Sequence, residues 1–155
     1  MRKGKSTAIW IVLGIALIAG LFAYPKIKRA SEGGKSGLTG FGAPCLAANM
    51  PLLQHIHSQL FIEADGVSEP IPPNIGIGAC ERAIHTHIDD AGKGIIHIES
   101  QDTRTYRLGD FFAVWEKSIL REGYALEATV DEKPAQNPAE LILKDGQKIV
   151  LRYIK

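Results

Sequence analysis

Ile84-His85-Thr86-His87-Ile88-Asp89-Asp90-Ala91-Gly92-Lys93-Gly94-Ile95-Ile96-His97-Ile98-Glu99 holds three of the five histidines of the chain. In an extended strand, residues two apart point to the same face. His85 with His87, and His97 with Glu99, therefore each present two ligand-type groups on one side. Asp89 to Gly94 is polar and glycine-rich, which predicts a turn between two short strands. Folding back at that turn brings His85 and His87 alongside His97 and Glu99, since opposed side chains sit about 4.5–5.5 Å apart. Ile96 and Ile98 take the opposite face.

The other two histidines repeat the pattern as His55 and His57. They lie in a predicted strand over Gln54–Ala64, with Ile56, Leu60, Ile62 and Ala64 on one face and His55, His57, Gln59, Phe61 and Glu63 on the other. Asp65-Gly66 is a tight-turn signal. Pro70, Pro72 and Pro73 limit the next stretch to a short edge strand. Gly76 and Gly78 suit positive φ or a close backbone approach. From Leu108 to Glu116 the chain reads as a helix start, with Asp110 as N-cap and Phe111, Phe112 and Trp115 on one face, running to about Leu120. Asp131 to Pro138 reads as a loop. Glu140–Lys144, the turn Asp145-Gly146 and Gln147–Ile154 read as a further hairpin. The predicted fold class is α+β, mainly β: antiparallel hairpins with one packed helix, β-grasp-like, preceded by a single N-terminal transmembrane helix.

That last element comes from Ala8 to Tyr24, seventeen residues without a charge. As a helix the run is roughly 25 Å long, near the lower limit for a bilayer span. Lys26-Ile27-Lys28-Arg29 follows directly and no Ala-x-Ala cleavage site is evident, which favours an uncleaved anchor over a signal peptide. The division is then a basic-flanked anchor over 1–29, a glycine- and serine-rich linker over 30–44, and a domain over 45–155. The lipid bilayer is the expected partner of residues 8–24. Basic residues flank both ends of the run, so charge hardly sets the orientation. A short N-terminal tail with Arg2, Lys3 and Lys5 most simply stays inside, and the expectation is a single-pass protein with its domain on the extracytoplasmic side. The net charge of +1 conceals an asymmetry: residues 1–29 hold six Lys/Arg and no acid, leaving twelve basic and seventeen acidic residues in the remainder. An acidic domain argues against nucleic-acid binding. In an exported domain the two cysteines, Cys45 and Cys80, point to a disulfide, with free or metal-binding thiols as the alternatives.

The residue types point to metal chemistry. Imidazole suits zinc, copper, iron and nickel, and a carboxylate can complete the set. His85, His87 and His97 are the first candidate ligands, followed by His55, His57 and Glu99. Asp89, Asp90, Glu63 or Asp102 could supply outer-sphere acceptors. An exported location favours copper without excluding zinc. An enzyme is harder to argue. A cupin carries Glu after its His-x-His and three or four intervening residues, where this chain has Ala91 and Gly92. No phosphate loop, dinucleotide fingerprint or haem-attachment motif is present. The rival reading is a non-catalytic accessory subunit of a larger membrane complex, with the histidines in internal hydrogen bonds.

One further signal comes from the joint pattern His55-Ile56-His57, Asn74-Ile75-Gly76-Ile77, Cys80, His85-Thr86-His87, Ile95-Ile96-His97-Ile98-Glu99 and Leu108-Gly109-Asp110-Phe111-Phe112-x-x-Trp115. Over about residues 45–155 it resembles a family of poorly characterised exported or membrane-anchored prokaryotic proteins. The resemblance implies an exported location and a shared histidine-rich fold, and no activity. Ser58-Gln59 and Asp65-Gly66-Val67 depart from the pattern without touching a candidate ligand.

Overall fold

A computed structural model describes residues 42–155. The expected membrane span over 8–24 lies outside the described residues, as does most of the linker. Among the described residues no helix is long and apolar enough to cross a membrane. The elements are β1 (Gln54–Ala64), β2 (Val67–Glu69), β3 (Ile84–His85), β4 (Ile95–Ser100), α1 (Leu108–Val114), β5 (Ala125–Val130), β6 (Lys133–Pro134) and β7 (Lys148–Ile154). Single 3-10 turns form at Ala91–Lys93 and Pro138–Glu140.

The strands make one seven-stranded sheet in the order β3-β4-β1-β7-β5-β6, with β2 attached to β1. β1 runs antiparallel to β2 and β4 but parallel to β7. The sheet is therefore mixed, which corrects the expectation of antiparallel hairpins alone. A parallel pair needs a long crossover, and everything from β2 to the turn before β7 supplies it. Where hairpins do form, local chemistry dictates them. Asp65 and Gly66 both take positive φ in the two-residue link between β1 and β2, as a primed turn requires. Asp131 and Glu132 do the same between β5 and β6, so the predicted loop over Asp131–Pro138 contains a tight turn and a short strand.

Asp145-Gly146 has a different task from the one its sequence advertises. Glu140–Lys144 is not a strand, and β7 pairs with β1 and β5 instead. The turn docks on the first half of β1, whose edge β7 does not reach. Asp145 Oδ1 accepts from the His57 N–H at 2.9 Å, and Gly146 N–H donates to the His57 carbonyl at 2.8 Å. The Ser58 hydroxyl closes the contact by donating to the Lys144 carbonyl.

One face of the sheet supplies Leu60, Ile62, Ile84, Ile96, Ile98, Ile149, Leu151 and Tyr153 to the core, all essentially inaccessible. α1 closes that core with Leu108, Phe111 and Phe112. The helix is shorter than expected and starts earlier. Asp110 lies inside its first turn, where its carboxylate accepts from the Arg107 N–H at 2.7 Å and the Gly42 N–H at 2.7 Å. Glu116, at φ +59°, ends the run well before Leu120. Trp115 packs on Phe111 and Phe112, a structural role on the far side of the sheet from the histidines. At the end of the segment read as linker, Ala43 is buried against the core.

Candidate metal centre

Register places the histidines. β1 and β4 pair His55 with Glu99 and His57 with His97, while β3 and β4 pair His85 with His97. Directly opposed residues share a face, so His57, His97 and His85 form a row across three strands on the face opposite the core. His55 and Glu99 form a second row beside it. His87, two residues beyond His85, leans over the same patch, with its ring centroid 4.5 Å from that of His97 and 4.6 Å from that of His85. His57 and His97 centroids are 4.6 Å apart, and His55 and His57 are 4.7 Å apart. All five histidines thus make one continuous cluster centred on His97.

The predicted hairpin forms, and its turn contributes to the site. Gly94 takes φ +73° after the 3-10 turn and lies so close to the Leu60 carbonyl that a Cβ would fall 2.3 Å from it. The turn also delivers Asp90, whose Oδ2 lies 3.4 Å from His97 Nε2. The Lys93 ammonium, 3.0 Å from Asp90 Oδ1, and after it His97 hold the Asp90 carboxyl below its ordinary value. Of the four acids expected to support the cluster, Asp90 does so. Glu63 instead pairs with Arg152 at 2.9 Å, and Asp102 accepts from Ser100 at 2.9 Å. Asp89 is exposed.

His85 is fully buried and oriented by its neighbours. Its Nδ1–H donates to the Arg82 carbonyl at 2.8 Å. A carbonyl can only accept, so in the neutral ring Nε2 carries the lone pair. This is the arrangement that fixes a metal-ligating histidine. Around that Nε2 lie His87 Nε2 at 3.0 Å and Glu81 Oε1 at 3.3 Å. Both atoms approach the same Nε2, whose lone pair a proton or a metal cation can take. Two nitrogens bound to one zinc at about 2.0–2.1 Å in a tetrahedral arrangement lie roughly 3.4 Å apart, close to what His85 and His87 already show.

Glu81 is the site residue that sequence reasoning missed. It sits outside any strand, and its approach to His85 depends on a distant pairing. Cys45 and Cys80 form a disulfide, Cys45 bridges to Arg82, and the Leu46 N–H donates to the Glu81 carbonyl at 2.8 Å. The only signal available was an acid placed beside Cys80 and four residues before His85.

His97 is the most constrained member. Only 7% of it is exposed, and neither ring nitrogen makes a hydrogen bond. The Asp90 contact is an ion-pair distance without hydrogen-bond geometry. Burial, then the His87, His57 and His85 rings, push the His97 pKa below its ordinary value against the opposing effect of Asp90. The shift favours the neutral ring, the form that binds metal. Two donor sets result: His85, His87, His97 and Glu99, and separately His55, His57 and His97, each with one ligand atom per residue within 4.8 Å of the others. Both cysteines are in the disulfide, so no thiolate is available among the described residues.

No family model, no curated protein and no solved structure matches this chain.

Proposed function

We propose that this protein is a membrane-anchored, extracytoplasmic module that binds copper or zinc through its clustered histidines. The observation that carries the reading is His97, buried, with two ring nitrogens that make no hydrogen bond amid four other imidazoles. A buried polar group without a partner costs about 1–3 kcal/mol, and a bound ion removes that cost. The nitrogen- and carboxylate-rich donors, with no thiolate, suit a borderline cation such as Zn2+ or Cu2+ over a thiolate-held Cu+. The exported setting rests on the apolar run over 8–24 and on the family resemblance; the disulfide supports it, since such bridges persist in oxidising compartments. A β-grasp-like assignment is supported by the parallel pairing of the first and last strands at the sheet centre and the helix between their antiparallel partners.

The test is metal content of the full chain, purified in detergent and exposed to Cu2+ or Zn2+ before desalting. The expected result is stoichiometric retained metal that His85→Ala with His87→Ala substantially reduces. Wild-type protein that retains none, or a double variant that retains as much as wild type, rejects the proposal. The accessory-subunit reading draws on the exposed apolar residues Met50, Leu52 and Leu53 ahead of β1. Co-purification of other membrane proteins by a metal-free chain would favour it.

A further inference from the structure

The cluster holds more donors than one ion uses, and its geometry divides them. On the β3 side of His97 stand His85 and His87, with Glu99 in the same donor set. On the β1 side stand His55 and His57. A tetrahedral ion takes four ligands, whereas five histidines and Glu99 are gathered here before Glu81 is counted. His97 lies in the middle strand of the three, with His57 and His85 as its in-register partners on either side.

A histidine that serves one ion normally gives its second N–H to a carboxylate or carbonyl, as His85 does to Arg82. A structural histidine also satisfies at least one ring nitrogen when buried. In His97, Nδ1 and Nε2 are both buried and neither makes a hydrogen bond; the Asp90 carboxylate stands 3.4 Å from Nε2, outside hydrogen-bond geometry. The two nitrogens of an imidazole point away from each other, so one ring can address two donor sets.

We infer that the centre holds two divalent transition-metal ions with His97 shared between them, one beside His85 and His87 and the other beside His55 and His57, an inference that rests on the metal-binding reading above. On loading, the His97 ring proton leaves to solvent, and the resulting imidazolate offers one nitrogen to each ion. Glu99 provides a second link. It belongs to the β3-side donor set, yet its Oε1 lies 3.3 Å from His55 Nε2 across the strand pair. The charges also match. Two dications face the imidazolate, Glu99, Glu81 beside His85 and Asp90 beside His97, four negative groups in all.

The experiment titrates the full chain in detergent with Cu2+, counting bound ions by native mass spectrometry and recording the electron paramagnetic resonance signal at each step. Wild type is expected to take two ions per chain. The integrated signal of the doubly loaded form should fall well below that of two isolated ions, because a shared imidazolate couples their spins. His55→Ala with His57→Ala should leave one ion with its full signal, and so should His85→Ala with His87→Ala. Two ions with additive signals overturn the shared ligand, and a single ion lost on substituting either pair overturns the two-ion centre while leaving metal binding intact. Absence of any bound copper in wild type overturns the metal-binding reading itself along with this one. The wild-type ion count and signal alone distinguish no ion, one ion, two isolated ions and two coupled ions. A single ion in wild type also overturns the two-ion centre, without any variant having to fold.

Discussion

The Nδ1 atom of His85 lies 2.8 Å from the carbonyl oxygen of Arg82, two residues beyond the disulfide-bonded Cys80. The bridge to Cys45 therefore clamps the segment that both orients His85 and presents Glu81 to it. Replacing both cysteines, Cys45→Ser with Cys80→Ser, leaves every candidate ligand in place but frees their support. Metal affinity should fall about 10- to 100-fold, the usual cost of losing outer-sphere orientation, as read by isothermal titration. Stability should fall by about 2–5 kcal/mol. An affinity equal to wild type in the folded double variant would show that the clamp does not position the site.

A site that keeps His97 buried and unpartnered carries a stability cost in the metal-free protein. His97→Leu replaces the ring with an apolar side chain that needs no partner. The metal-free variant is expected to gain about 1 kcal/mol or more, read as a higher midpoint in urea, and to lose metal-dependent stabilisation. A metal-free variant less stable than wild type would mean that the ring makes a structural contribution, against the proposed role.

The depressed pKa of His97 sets the sign of a pH effect in the metal-free domain. Its folded-state pKa lies below the unfolded value of about 6.5. Between those two values the unfolded chain binds more protons than the folded one. Stability is then fully present above about pH 6.5 and falls as the pH drops through the unfolded value. It levels off once the folded ring also protonates. Urea titrations of wild type and His97→Leu between pH 8 and 5 should show the loss in wild type and a shallower loss in the variant. Parallel curves would mean that His97 is not the group responsible.

Much of the site could be read from the chain because it is carried by short-range pattern. Period-two spacing placed His55 with His57 and His97 with Glu99, and the Gly94 turn folded His85 onto His97 as expected. β1 was legible for the same reason, being amphipathic over its whole length. What escaped depends on long-range pairing. The parallel contact of β1 with β7 leaves no local trace, and Asp145-Gly146 offers hairpin chemistry while serving as a dock for β1. Glu81 reaches His85 through a disulfide between residues 35 apart. β5 carries a period-two signal in Leu126, Ala128 and Val130 that is short, and only Ala128 among its six residues is buried.

Gly76 ties the fold to the site through a close approach of backbone. At φ +73°, a Cβ there would lie 2.3 Å from the Ile84 carbonyl, 3.0 Å from Val114 Cγ1 and 3.2 Å from His85 Cβ. The Ile84 carbonyl is β3 backbone and cannot yield by rotating a side chain. Gly76→Ala must therefore push β3 away from its neighbours and carry His85 with it. It should cost about 2–3 kcal/mol through clash and backbone strain, and should also weaken metal binding by displacing His85 Nε2 from His87. Gly92→Ala is the matched control, since a Cβ at Gly92 meets nothing within 4 Å. Its stability and metal affinity should stay within about 0.5 kcal/mol of wild type. Urea unfolding and metal titration of the two variants side by side decide the matter: equal behaviour would place His85 independently of the Gly76 contact.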